Sequence, residues 1–291
     1  MKRLSNKKIL VFLVLTFFLS SIFYYLKISG DTSHDYTLTL MWCPGIAAII
    51  TQLLFTGNIR NLGWSIPSAN YLLMSYVVPL IYVMIVYGLV WLTGIGPFNP
   101  EGFAKFIAPA YPMLQGQPTH IVIIIGLVIV SSYEVIMTGF RTLGEEIGWR
   151  GLLAPELAKR YSYTKTSVIS GFIWAIWHYP VLLFGDYNNA GAPLWFGLIC
   201  FTLLVIGISF ALTWLRLKSG SLWTAVLLHA SHNIFIQAIF TKMTGVTDLT
   251  PFVIDEFGIG LALVAVLVGY LFWRKRAELP EYLAAKGVRG S

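Results

Sequence analysis

Residues 120–151 read HIVIIIGLVIVSSYEVIMTGFRTLGEEIGWRG. The stretch begins as an apolar run long enough for a helix to cross a hydrocarbon core of about 30 Å. It ends on Glu145, Glu146 and Arg150. Ionisable groups are costly in or beside a span, so they mark either the end of that span or a site built inside a bundle. The rest of the chain has to choose between these.

The apolar character is general. Of 291 residues, 57% are hydrophobic and 11% charged, with mean hydropathy +0.73, whereas a soluble domain is about one quarter charged. Counted as runs of about 20 apolar residues, eight candidate spans occur, at 9–26, 38–56, 71–94, 120–140, 166–184, 194–215, 221–241 and 257–273. The fourth has the composition to continue as helix past Phe140, toward Pro155. The run Ile9–Leu26 exceeds a signal-peptide core and no A-x-A site follows it, so it reads as a retained first span. Cys43 and Cys200 each lie inside an apolar run, which predicts small core residues rather than a disulfide framework. No internal repeat or soluble domain interrupts residues 1–291, read as one transmembrane domain with a loose tail at 277–291. The Pro- and Gly-containing connection from Thr93 to Thr119 is expected to fold over the outer face. Aromatic residues sit in apolar runs and not among lysines, which argues against a nucleic-acid partner.

The formal charge of +7 is patterned. Basic residues fall in alternate connections: Lys2, Arg3, Lys7 and Lys8, then Arg60, the Arg141–Lys165 stretch, Arg216 with Lys218, and Arg274–Arg276. The intervening connections hold Asp31 and Asp35, Glu101 with Lys105, Asp186, and then Asp248, Asp255 and Glu256. Cytoplasmic loops are the ones enriched in Lys and Arg. The pattern predicts an all-α, polytopic membrane helix bundle of about eight transmembrane helices with both termini cytoplasmic.

Within that bundle a few polar residues are out of place. Glu146 and Arg150 stand at i and i+4, the spacing of a pair on one helix face. Taken alone they also suit an interfacial ion pair. Glu145 lies about 100° around the helix from Glu146. A carboxylate paired with an arginine serves as a brace, and an unpaired, desolvated one is the better general base. Arg141, at i−4, is a competing partner for Glu145. His178, within WAIWHYP, reads as an interior imidazole or as part of an interfacial aromatic belt. His229 and Asn233 share a face in LLHASHN, and His232 suits an interhelical hydrogen bond. Glu134 reads as a proton relay or a hydrogen-bonded neutral acid. Together the set offers a base, imidazoles and a neutral donor, the parts needed to add water to a carbonyl.

These motifs resemble the CAAX protease and bacteriocin-processing family of intramembrane endopeptidases, which includes the type II CAAX prenyl endopeptidases. The family pattern is Glu-Glu-x-x-x-Arg, then Phe-x-x-x-His, then His-x-x-x-Asn or Asp. Here the first is Glu145-Glu146-Ile-Gly-Trp-Arg150 followed by Gly151, and the third is His229-Ala-Ser-His-Asn233. The second departs, with Trp174 where Phe is usual before His178. The resemblance covers roughly residues 120–240, which it marks as the catalytic core. It implies an eight-helix fold with a water-filled cavity near the cytoplasmic side. It further implies that Glu145 with His178 activates water, that His229 and Asn233 stabilise the oxyanion, and that Glu146 and Arg150 hold the helix in place.

The expected activity is hydrolysis of a peptide bond in a membrane-associated or lipidated peptide, without a cofactor or metal. Partners are then a peptide or protein substrate and the lipid bilayer. Compact loops and a short basic tail suggest a bacterial cell membrane. One alternative is a zinc metalloprotease using the same residues, although no His-Glu-x-x-His helix occurs and Asn233 is a poor zinc ligand. Another is a non-catalytic membrane regulator or bacteriocin-immunity protein. A transporter using Glu134 and the histidines ranks last, because repeated halves are missing.

Overall fold

Apolar runs with every backbone group satisfied internally become helices in a bilayer, and the computed structural model consists of them. It describes residues 2–29, 35–185, 187 and 191–280. Asp31, Asp186 and residues 281–291 of the tail read as loose lie outside the described residues. The main helices are α1 (Lys2–Ile28), α2 (Thr37–Thr56), α3 (Ala69–Thr93), the short α4 (Pro100–Ile107), α5 (Thr119–Ala158), α6 (Tyr163–Phe184) and α7 (Leu194–Ser219). Then come α8, made of Trp223–Asn233 and its π-helical continuation Ile234–Phe240, and α9 (Ile259–Arg274). Among the described residues the β structure is a single bridge between Phe98 and Thr244.

Six of these helices, α1, α2, α3, α5, α6 and α7, are long and apolar enough to cross a membrane. Outward-facing Leu10, Phe18, Leu92, Ile124, Val128 and Leu263 leave the bundle an apolar exterior, and the chain is an integral membrane protein. The other two expected spans are present as helices but are weaker. In α8 the residues His229, His232, Asn233 and Gln237 dilute the apolar run, and α9 has 16 residues, fewer than the about 20 of a full crossing.

The fourth span continues past Phe140, as its composition suggested: the helix runs unbroken to Ala158, just beyond Pro155, and carries Arg141, Glu145, Glu146 and Arg150 within it. Hydropathy stops at Arg141 because it scores residues singly, whereas the helix continues by burying its charges against neighbours. Three π-helical stretches, Val130–Glu134, Ile147–Leu153 and Ile234–Phe240, end on or directly follow Glu134, Glu146 and Asn233. Such widened turns often accompany functional sites.

Close backbone contact sets the register of α5 against α2. A Cβ on Gly144 would lie 2.7 Å from the Trp42 Cα, and one on Gly148 would lie 2.6 Å from the Pro44 Cβ. Small residues permit this approach between membrane helices. It presses the segment that follows Glu146 into the core, where all seven residues Ile147–Leu153 are buried. Across the bundle, Trp177 Nε1 donates to Ser20 Oγ at 2.8 Å and Tyr24 donates to the Trp177 carbonyl, fixing α6 against α1. Both cysteines are buried free thiols.

Candidate active site

Glu145 and Glu146 do face different ways. Glu146 is fully buried, and its Oε1 accepts from Arg150 Nη1 at 3.1 Å and from His229 Nδ1 at 2.9 Å. Arg150, also 0% exposed, donates to Ser209 Oγ at 2.9 Å and lies 4.2 Å over the Trp174 ring. Its carbonyl accepts from Arg216 Nε at 2.9 Å. The pair is therefore a buried brace and not an interfacial one, tying α5 to α7 and α8.

Glu145, 2% exposed, accepts instead from Trp174 Nε1 at 2.7 Å. Its carboxylate lines a cavity of about 320 Å³ shared with His178, His229 and Asn233. His178 Nδ1 is 3.0 Å from the Trp174 carbonyl. A carbonyl only accepts, so Nδ1 carries the proton and Nε2 is the nitrogen left for other partners. The ring is boxed by Trp177, Phe201 and Tyr187. In His229, Nδ1 is committed to Glu146, and Trp174 packs against the ring at 5.1 Å between centroids. Asn233, one turn beyond His229 and half-buried, closes the set. All four residues expected to surround the reaction thus reach one cavity, with Glu146 and Arg150 beside it.

The remaining polar residues find other places. His232 bonds Tyr82 on α3 through Nδ1, the interhelical contact expected of it, while its Nε2 lies 3.4 Å from Glu256. Glu134 accepts from the Tyr111 hydroxyl. It lines a second cavity of about 620 Å³ that shares Thr37, Met41, Asn233 and Gln237 with the first. Arg141 lines that second cavity too, on the side of Asp35 rather than as the partner of Glu145. The Asp35 carboxyl is held below its usual range by the Thr37 hydroxyl and amide, with help from Lys27 and Arg141. Among the described residues, no three His, Cys, Asp or Glu side chains converge as a metal site.

This geometry falls inside the part of the chain that matches known proteins. Residues 117–235 match the family model of Rce1-like type II CAAX prenyl endopeptidases. A curated relative from Methanococcus maripaludis, named CAAX prenyl protease 2, is 28% identical over 130 residues. That match spans 43% of this chain and 45% of the relative. By this segment the chain is similar to the Rce1-like family, and it spans less than half the length of the relative it matches.

Two residues around the site went unassigned in the sequence. Trp174 occupies the motif position where the Rce1-like pattern has Phe, and its indole N–H is what holds Glu145. The signal was the substitution itself, since Trp adds a donor that Phe lacks. Glu256, counted as an outer-loop acid, is 3% exposed and reaches into the first cavity. It accepts from Tyr187 Oη and, with both oxygens, from Gln237 Nε2 at 3.1 Å. No local sequence pattern distinguishes it from the other acids of that connection, Asp248 and Asp255.

Proposed function

We propose that the protein is an intramembrane endopeptidase that hydrolyses a peptide bond in a membrane-associated peptide, with Glu145 as the base for water. The observation that carries this reading is the meeting of one buried carboxylate, Glu145, and two imidazoles, His178 and His229, in one cavity fed by three helices. The protease named among the relatives supports the same activity. Residues 117–235, which hold the whole set, are then the catalytic segment.

In this mechanism Glu145 and the Nε2 of His178 hold a water, and Glu145 takes its proton as the oxygen bonds to the scissile carbonyl carbon. His229 Nε2 and the Asn233 amide donate to the resulting oxyanion, a contribution of about 3–4 kcal/mol per donor. To donate from Nε2 as well as Nδ1 the His229 ring carries both protons, and Glu146 supplies the compensating charge. The carbon–nitrogen bond then breaks, and the proton on Glu145 passes to the leaving amine. Trp174 positions Glu145 throughout. Glu146 and Arg150 act as positioning residues.

Incubation of purified protein in detergent with a pool of membrane-derived peptides, read by mass spectrometry, tests this. New cleavage products with wild type, unchanged by a strong chelator and missing with Glu145→Gln, are expected. Products equally abundant with Glu145→Gln would refute the assignment of the base. Loss of products on chelation would favour the metalloprotease alternative.

A further inference from the structure

Two carboxylates line the first cavity, and the mechanism above uses only Glu145. The other, Glu256, is buried and fully engaged. Its Oε1 lies 3.1 Å from Gln237 Nε2 and 3.4 Å from His232 Nε2. Its Oε2 accepts from Tyr187 Oη and lies 3.1 Å from the same Gln237 nitrogen. A carboxylate offers about four acceptor sites and an amide oxygen about two, so this set of contacts calls for an acid and not a glutamine.

The turn that delivers Glu256 is held in an unusual shape. Asp255 has φ at 65°, a left-handed value that a residue with a Cβ adopts at a cost, and among the described residues no other non-glycine does so. The turn is tied to α3 by the Asp255 N–H, which donates to Tyr87 Oη at 3.2 Å, and Glu256 N–H donates to Asp255 Oδ1 at 2.7 Å.

The two donors from α8, His232 and Gln237, stand five residues apart with Asn233 between them. In a regular α-helix, residues five apart point about 140° away from each other. The π-helical stretch Ile234–Phe240 closes i to i+5 hydrogen bonds instead, as from the Thr241 amide to the Ile236 carbonyl at 3.0 Å. Such a turn brings residues five apart nearly into line, and one carboxylate holds both. His232 is held from its other nitrogen by Tyr82 on α3. The Asn233 amide has no side-chain hydrogen-bond partner among the described residues, so its direction is set by the helix that carries it.

From this clamp we infer that Glu256 is a positioning residue, which aims the Asn233 amide at the oxyanion by holding the α8 turn on both sides of it. The oxyanion part rests on the endopeptidase reading above, and the clamp itself does not. Glu256 touches no reacting atom, and its effect on the rate passes through Asn233.

A kinetic cycle on the purified protein, with a peptide found among the wild-type cleavage events, tests the route. Glu256→Gln should lower kcat about tenfold, the worth of one lost hydrogen bond, with KM close to wild type. Asn233→Ala should lower kcat about 10²-fold. The double variant should match Asn233→Ala to within about twofold. A residue that merely supports the fold would lose the same factor in both backgrounds, so losses that multiply, or a change in KM alone, would overturn the inference. If Glu256→Gln does not fold, Gln237→Leu, which removes the donor that follows Asn233, enters the same cycle with the same expectation. Hydrogen exchange read by mass spectrometry needs no activity. Residues 234–241 should exchange about tenfold faster in the Glu256 variant, or in the Gln237 variant that replaces it, with the unfolding midpoint near wild type. Unchanged exchange would overturn the inference whether or not a peptide is cut. Faster exchange, with no peptide cut by wild type, would remove the endopeptidase reading and the role in aiming Asn233 together, while leaving the clamp on α8 in place.

Discussion

The buried brace makes a quantitative prediction. Glu146→Leu leaves the Arg150 guanidinium, 0% exposed, with Ser209 and the Trp174 face but no counter-charge. Breaking one side of a buried ion pair costs about 3–5 kcal/mol. Arg150→Met alone leaves Glu146 with His229 as its partner, a cost toward the lower end of that range. In the double variant both charges are gone, and exchanging a buried pair for hydrophobes of similar size is often close to neutral. What remains is the unpaired His229 Nδ1, about 1–3 kcal/mol. The two single costs therefore exceed the double cost, with a coupling of about 3 kcal/mol or more. Reversible unfolding in mixed micelles, followed by helical circular dichroism over the four members of the cycle, measures it. Additivity to within about 0.5 kcal/mol would refute the view that these residues form one electrostatic unit.

Other perturbations follow from neighbouring contacts. Trp174→Phe keeps the ring but deletes the donor to Glu145, a loss of about 1.5 kcal/mol, so peptide cleavage should slow roughly tenfold while the unfolding midpoint stays near wild type. Gly144→Ala places a methyl against the α2 backbone at Trp42. Overpacking of this kind costs about 1–3 kcal/mol, and it should appear as a lower unfolding midpoint that a lipid-facing control, Val128→Ala, does not share. Asp255, in the connection before α9, combines a left-handed φ of 65° with a carboxyl pushed up to about 6 by burial and by the neighbouring Glu256. A carboxyl raised in the folded state favours folding when protonated, so this group adds stability as pH falls from above 6 toward its ordinary value near 4. Unfolding midpoints measured between pH 5 and 7 should show that slope in wild type and lose it in Asp255→Asn.

The helices were legible because apolar runs of spanning length have few other uses. The brace was legible too, since Glu146 and Arg150 are four residues apart and a helix puts them together. Its depth was not, because burial of Arg150 depends on Ser209 and Trp174 from other helices. The same reason moved Arg141. Its sequence position offers it to Glu145, while the widened turns of α5 and the packing of α2 turn it toward the Asp35 side of the second cavity. The continuation of the fourth helix toward Pro155 was legible although hydropathy falls at Arg141, and the helix goes on to Ala158. Glu256 was hidden for a different cause. It comes from a connecting loop, and only the folded chain brings Tyr187, Gln237 and His232 around its carboxylate.

The claim that matters most is that Glu145 activates water rather than attacking the peptide itself. A single-turnover reaction in ¹⁸O-labelled water, with enzyme in excess over a peptide taken from the wild-type products, tests it directly. Water attack predicts one ¹⁸O in the newly formed carboxyl of the N-terminal product and none in the enzyme. A product free of label with ¹⁸O retained in the Glu145 side chain, or a peptide covalently trapped on that residue, would contradict the account.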